Sequence, residues 1–178
     1  MPKQIRAIDS KNKAAMSHEQ TLRRRIKVLT WLFIIGLVVS GATAIPLSGE
    51  LNLLVNFLVA NAGPSEMAPW LLRIRDALAQ TQAQHPFLFY GTDWLAFGHF
   101  VIAIVFIGAL RDPVRNRWLF DFGLIACALV IPYAFTFGAL RGIPLWWRLM
   151  DCSFGVFGFV PLWFCRKWTG ELEQLGSR

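Results

Sequence analysis

Charge is scarce in this chain. Only 16% of its 178 residues are Asp, Glu, Lys or Arg, against 55% hydrophobic, where a water-soluble domain of this size carries about a quarter. That deficit excludes a surface hydrated on all sides and points to lipid as the main solvent. Cysteine is equally sparse. Cys127, Cys152 and Cys165 all sit inside apolar runs, with no CxxC pair among them. An odd number at such spacings builds neither a disulfide framework nor a zinc site, and a dithiol redox mechanism lacks its paired thiols. The three read as small buried hydrophobes. Histidine occurs only at His18, His85 and His99, too few for the histidine boxes of desaturase-type enzymes and a poor basis for a bis-histidine haem. No P-loop, GxSxG or HExxH pattern is present. Neither a metal nor a cofactor is expected.

Long apolar runs, by contrast, are plentiful. The stretch Asp93 to Arg117 organises the rest: Trp94 to Leu110 carries no formal charge, Asp93 and Trp94 close one end, and Arg111, Arg115 and Arg117 crowd the other. Such a rod is near the lower end of what spans a hydrocarbon core as a helix. An indole at one end and guanidiniums at the other mark how it sits in a membrane. Three further runs repeat the pattern, giving spans at 28–47, 94–110, 118–139 and 145–164. The expected fold class is an all-α integral membrane protein, a four-transmembrane-helix bundle with an extracytoplasmic amphipathic helical loop between helices one and two. Its parts are a basic cytoplasmic tail (1–26), the membrane domain (27–167, including the loop 48–93) and a cytoplasmic C-terminal tail (168–178).

The leader holds Lys3, Arg6, Lys11, Lys13 and the run Arg23 to Arg25, with few apolar residues, so no packed core is expected there. A helix capped at Ser17, with Gln20 three residues on, is expected to start only near the bilayer. Ala42-Thr43-Ala44 imitates a signal-peptidase site, but the long leader and near-spanning run favour an uncleaved helix. Gly36, Ser40 and Ala44 recur every four residues, the small-residue pattern of a close helix contact.

In the loop, Leu51 to Ala60 is apolar but too short to cross, and Asn61 to Pro64 breaks it. A second helix is expected from Ser65 or Pro69 to Gln84, ended by Pro86. Met67, Trp70, Leu71, Ile74, Leu78 and Thr81 form its apolar stripe, opposite Arg73, Asp76, Gln80 and Gln84. Such a helix floats in the interface or folds over the bundle. Further on, Asp112-Pro113 and Arg141 to Pro144 make tight turns, so spans two, three and four are antiparallel neighbours. Pro132 lies inside span three, where neighbours must satisfy the carbonyl that it frees.

Lys and Arg concentrate in the leader, the 111–117 turn and Arg166-Lys167. By the positive-inside rule these share the cytoplasmic side, with both termini inside and the loop outside. Trp31, Trp118, Trp163 and Trp168 then fall near one interface and Trp94, Trp146 and Trp147 near the other. The net charge of +7 is flanking charge of this kind, which attracts anionic lipid. No groove-reading motif accompanies it, so nucleic acid is not an expected partner. The absence of Asn-x-Ser/Thr sequons and the compact length favour a bacterial inner membrane.

Two polar layers are the candidate sites. The outer one comprises Asp93, Trp94, His99, Arg141, Trp147, Arg148 and Asp151. His99 and Asp151 lie about 8 Å into their spans at helical rise. Asp151 shares a stripe with Gly155 and Gly158 and should face other helices. A carboxylate there costs about 2–3 kcal/mol unless paired. Arg148 is the nearest partner in sequence, and His99 the chemically interesting one. As a site, His99 and Asp151 would exchange protons while Arg141 or Arg148 held an anionic group. As structure, Asp151–Arg148 would be an ion pair and His99 packing glue. The inner layer, Arg111, Arg115, Arg117 and Asp121, could contact an anion or a partner, although Arg117 and Asp121 at i, i+4 read first as a local ion pair.

Three functions fit. The first is a lipid- or partner-binding accessory module with a shallow outward-facing polar pocket, its partners being membrane lipids and a larger membrane protein or further copies of itself. The second is a membrane-embedded enzyme doing acid/base chemistry on a lipid-like substrate through His99 and Asp151. The third is a proton-coupled carrier built as a homo-oligomer.

Overall fold

The computed structural model describes residues 2–61 and 67–176, the side chains of 2–15 and 58–61 aside. Six α-helices follow one another: α1 (Pro2–Ala44), α2 (Leu47–Asn61), α3 (Met67–Gln84), α4 (Tyr90–Arg111), α5 (Arg117–Leu140) and α6 (Leu145–Gly176). A 3₁₀ turn, Pro86–Phe89, precedes α4. No strand occurs among the described residues. Among the described residues four helical segments are long and apolar enough to cross a membrane: Met16–Ala44, Pro86–Arg111, Arg117–Leu140 and Leu145–Gly176. Their outward surfaces carry Leu32, Ile104, Ile125, Phe157 and many like them, far more exposed apolar area than a water-soluble monomer tolerates.

The chain divides into two compact units, Met1–Ile34 with Ile104–Arg178, and Ile35–Ala103. In the first, α5 and α6 pack along their length. Small residues allow the approach. A Cβ on Gly155 would lie 2.7 Å from the Cys127 carbonyl oxygen, and one on Gly123 would lie 2.6 Å from Leu162 and 3.1 Å from Phe106. Phe106, Leu119, Phe120, Leu162 and Cys165 form the core. Pro132 lies inside α5 as expected, and Pro161 lies inside α6.

Two turns hold this unit's hairpins. Between α4 and α5, Asn116 Nδ2 donates to the carbonyls of Gly108 and Asp112, both at 3.0 Å, satisfying backbone acceptors at the end of α4. The Arg115 backbone N–H donates to Asp112 Oδ1 at 3.1 Å. Between α5 and α6, Gly142 takes φ +68°. Its N–H donates to the Ala139 carbonyl at 3.1 Å, and the Ile143 N–H to that of Gly138 at 2.8 Å. This double closure needs a left-handed residue at its corner, which glycine supplies without strain.

Both ends of the chain depart from expectation. The leader is helical from Pro2 rather than from Ser17, and the Ser17 carbonyl accepts the Thr21 hydroxyl at 2.9 Å inside the running helix. Leu22 and Ile26 are fully buried, so part of the leader does join a core. Arg25 lies over the Trp168 ring at 5.7 Å. Likewise α6 does not stop at Phe164 but continues to Gly176, with Thr169 and Leu172 buried. The expected tails are extensions of the first and last helices. Helical spacing explains this: Leu22, Ile26 and Thr30 fall one turn apart, as do Cys165, Thr169 and Leu172. At the seam, Thr30 Oγ1 lies 3.8 Å from Cys165 Sγ, which in turn lies 3.7 Å from the Ile26 carbonyl.

In the second unit α1 ends at Ala44, three residues short of the expected Leu47, because Pro46 disfavours a helical residue before it. Its close contact is made at Gly41, not along Gly36 and Ser40. A Cβ on Gly41 would lie within 3.0 Å of Phe100, Ala96 and His99, whereas Gly36 has nothing within 4 Å. Helices α2 and α3 pack together, burying Leu51, Val55 and Leu71. The stripe of α3 runs as expected from Trp70 onward: Leu71 is buried, Trp70, Ile74, Leu78 and Thr81 are half-buried, and Arg73, Asp76, Gln80 and Gln84 are exposed, but Met67 at its start is exposed too. The expected break over Ala62 to Pro64, and a start at Ser65, lie outside the described residues.

Candidate functional site

A groove of about 540 Å³ runs beside α5 from Ala126 to Arg141, met by Ile143 of the turn and Asp151 of α6. At 1.5 Å per residue it is about 22 Å long. Its lining is apolar except for Tyr133, Arg141 and Asp151. Sequence creates the space, because Ala126, Ala134 and Gly138 offer little side chain where α5 would otherwise fill it. Tyr133 and Phe137, one turn apart, stack with ring centres 4.5 Å apart.

Asp151 is half-buried and makes no hydrogen bond or ion pair among the described residues. Gly155 and Gly158, on its stripe, meet Cys127 of α5, so that stripe is the packed side of α6. The expected Asp151–Arg148 pair does not form. Arg148 Nε donates instead to the Ile143 carbonyl at 2.9 Å, and its stem lies on Gly138, where a Cβ would sit 2.5 Å from Arg148 Cδ. Side chains on a helix lean toward its N-terminus. That direction carries Arg148 to the corner and away from Asp151. Arg148 therefore secures the α5–α6 turn, leaving Arg141, exposed at the end of the groove, as its cation.

Trp147 contacts the Trp146 ring at 5.4 Å. The remaining outer-layer residues belong to the second unit. Asp93 is exposed in the first turn of α4. Trp94 meets Tyr90 and Phe97 edge-on, at 5.9 and 5.4 Å. His99 is half-buried, with Nδ1 2.8 Å from the Leu95 carbonyl of its own helix. A carbonyl can only accept, so this bond puts a proton on Nδ1.

The inner charges pair differently from the sequence expectation. Asp121 bonds to Arg166 rather than Arg117, and Arg117 bonds to Glu173. Both pairs tie α5 to α6. The i, i+4 alternative would have been local to α5, whereas these are part-buried links between helices. Arg111 and Arg115 are exposed, with no side-chain partner among the described residues. An antiparallel register would have revealed the pairing: Gly138 faces Arg148, Cys127 faces Gly158 and Asp121 faces Arg166, one residue falling as the other rises. Thr30 and Glu173 were missed for the same reason, since their roles depend on a partner distant in sequence, whereas Asn116 closes its own turn onto Gly108 and Asp112.

Among the described residues no group of three or more His, Cys, Asp and Glu side chains could hold a metal ion. Comparison with protein-family models, with curated proteins and with solved structures returned no match.

Proposed function

We propose that this chain is a four-span membrane protein that binds an amphiphile in the groove along α5. The polar head would meet Asp151 and Arg141, and the chain would run toward Ala126. One observation carries this reading: Asp151 stands without a partner in an otherwise apolar groove. A carboxylate in that setting is costly to keep and intramembrane ionisable groups are functional suspects by default. A ligand hydroxyl or ammonium donating to it would remove the cost. The volume is that of a small-molecule site, and a length of about 22 Å suits an extended hydrocarbon chain. Orientation follows from charge. The leader, the 111–117 turn and the end of α6 carry the Lys and Arg excess, which supports cytoplasmic termini and an external α2–α3 loop in a bacterial inner membrane. The contacts of Arg25 with Trp168 and of Arg117 with Glu173 gather those three segments at one end of the first unit.

Native mass spectrometry of protein released from its own membranes tests the proposal. The wild type should retain an amphiphile of defined mass. Asp151→Asn should lose most of it, and Ala134→Trp, which fills the groove, should lose all of it, with thermal stability in detergent preserved. Equal retention by all three proteins would reject the groove as the site.

A further inference from the structure

Helix α2 presents an apolar arc to its surroundings. Leu51 and Val55 turn inward toward α3, while Leu53 is 73% exposed and Leu54 41%. No charged residue follows Glu50 within the helix. The exposed side of α3, by contrast, carries Arg73, Asp76, Gln80 and Gln84. The hairpin therefore has one oily side and one wet side. At 15 residues, α2 is about 22 Å long and cannot cross a hydrocarbon core of about 30 Å.

Length also fixes where the hairpin begins. From Lys27, the last charge before the first span, to Ala44 is about 26 Å of helix. That is a few Å less than the core, so the chain is still at the hydrocarbon boundary when it breaks at Ile45 and Pro46 and enters α2. On the return, the 3₁₀ turn exposes Phe87 and Leu88 (70% and 56%) just before Tyr90 and Trp94. Tyrosine and tryptophan are residue types that settle at headgroup level. Both ends of the hairpin are thus tied to the membrane surface.

We propose that α2 is an interfacial helix. Leu53 and Leu54 lie among the acyl chains of one leaflet, Asn52 and Asn56 at the headgroup edge, and α3 forms the water side. The occupant of the apolar arc is membrane lipid, because the arc is uncharged and begins where the chain leaves α1 at the hydrocarbon boundary. This inference rests on the spans crossing a membrane and is independent of the groove.

Nitroxide labels at Leu53→Cys and Leu54→Cys, compared with Gln80→Cys and Gln84→Cys, test it by collision with oxygen and with a nickel chelate. The native cysteines are replaced by alanine. If that lowers the yield, they are retained and the labelled site is assigned by mass. The protein is reconstituted at high dilution in phosphatidylcholine–phosphatidylglycerol vesicles. Oxygen, enriched in hydrocarbon, should dominate at 53 and 54, and the chelate at 80 and 84, a reversal of the collision ratio across the hairpin. Chelate collisions at 53 and 54 as frequent as at 80 would put α2 in water and overturn the proposal. Exclusion of both reagents from 53 and 54 would mean that protein covers the arc, and would overturn it as well.

Discussion

Asp121 shows what a single side chain can and cannot disclose in a sequence. Arg117 lies one helical turn before it, yet the ion pair goes to Arg166 across the α5–α6 contact, and Arg117 goes to Glu173. A double-mutant cycle separates the two arrangements. Asp121→Asn combined with Arg166→Gln should show a coupling of about 0.5–1 kcal/mol, the range for part-exposed pairs. The same Asp121 change combined with Arg117→Gln should be additive. Glycines divide just as sharply. Gly155→Ala forces a Cβ against a backbone oxygen that cannot swing away, and should cost about 1–3 kcal/mol. Gly36→Ala meets nothing and, in a helix interior, should be neutral or stabilising by up to about 1 kcal/mol. Chemical denaturation in mixed micelles reads both. The spacing of Gly36, Ser40 and Ala44 advertised a contact that the helix makes through Gly41. Spacing identifies faces on a helix, and only a neighbour decides which face is used.

Elements were legible wherever apolar length or a backbone breaker governed them. Pro86 and Gly142 end or turn helices near the expected places, and α3 shows the anticipated stripe from Trp70 onward and the anticipated polar side. The ends of the first and last helices were not legible. A basic, weakly apolar leader reads as a solvated tail because its few apolar residues have no visible partner, although Leu22 and Ile26 are fully buried. Ile26→Ala should therefore lower stability by about 2 kcal/mol or more. Arg24→Ala, at an exposed position with no partner among the described residues, should leave it unchanged within about 0.5 kcal/mol. Thermal melts of the two variants in the same detergent decide whether the leader is part of the folded body.

At the scale of the whole molecule, class was the most readable property, because the shortage of charge and the length of four apolar runs are global features. The pocket was readable only as a set of polar side chains near one end of the spans. Arg141 and Asp151 do line one groove, but Arg148 is taken up by the Ile143 carbonyl, and nothing in residue spacing disclosed the space beside Ala126 and Gly138. Sidedness is tested in a bacterial host. A fluorescent protein fused after Gly176 should glow, and alkaline phosphatase inserted after His85 should be active. The opposite pair of results would invert the orientation and put α2 in the cytoplasmic leaflet.

The seam of Ile26 and Thr30 with Cys165 joins residues as much as 139 positions apart. It cannot form until the ribosome has made α6 as far as Cys165. As a membrane span, α1 would have to wait, its Thr30 and Ile26 side met by lipid or an insertase, until the helices from α2 to α6 have followed. A nascent chain cut before Cys165 would keep its hydrophobic runs and its orientation yet remain open along that edge, a substrate for membrane quality control rather than a smaller working protein.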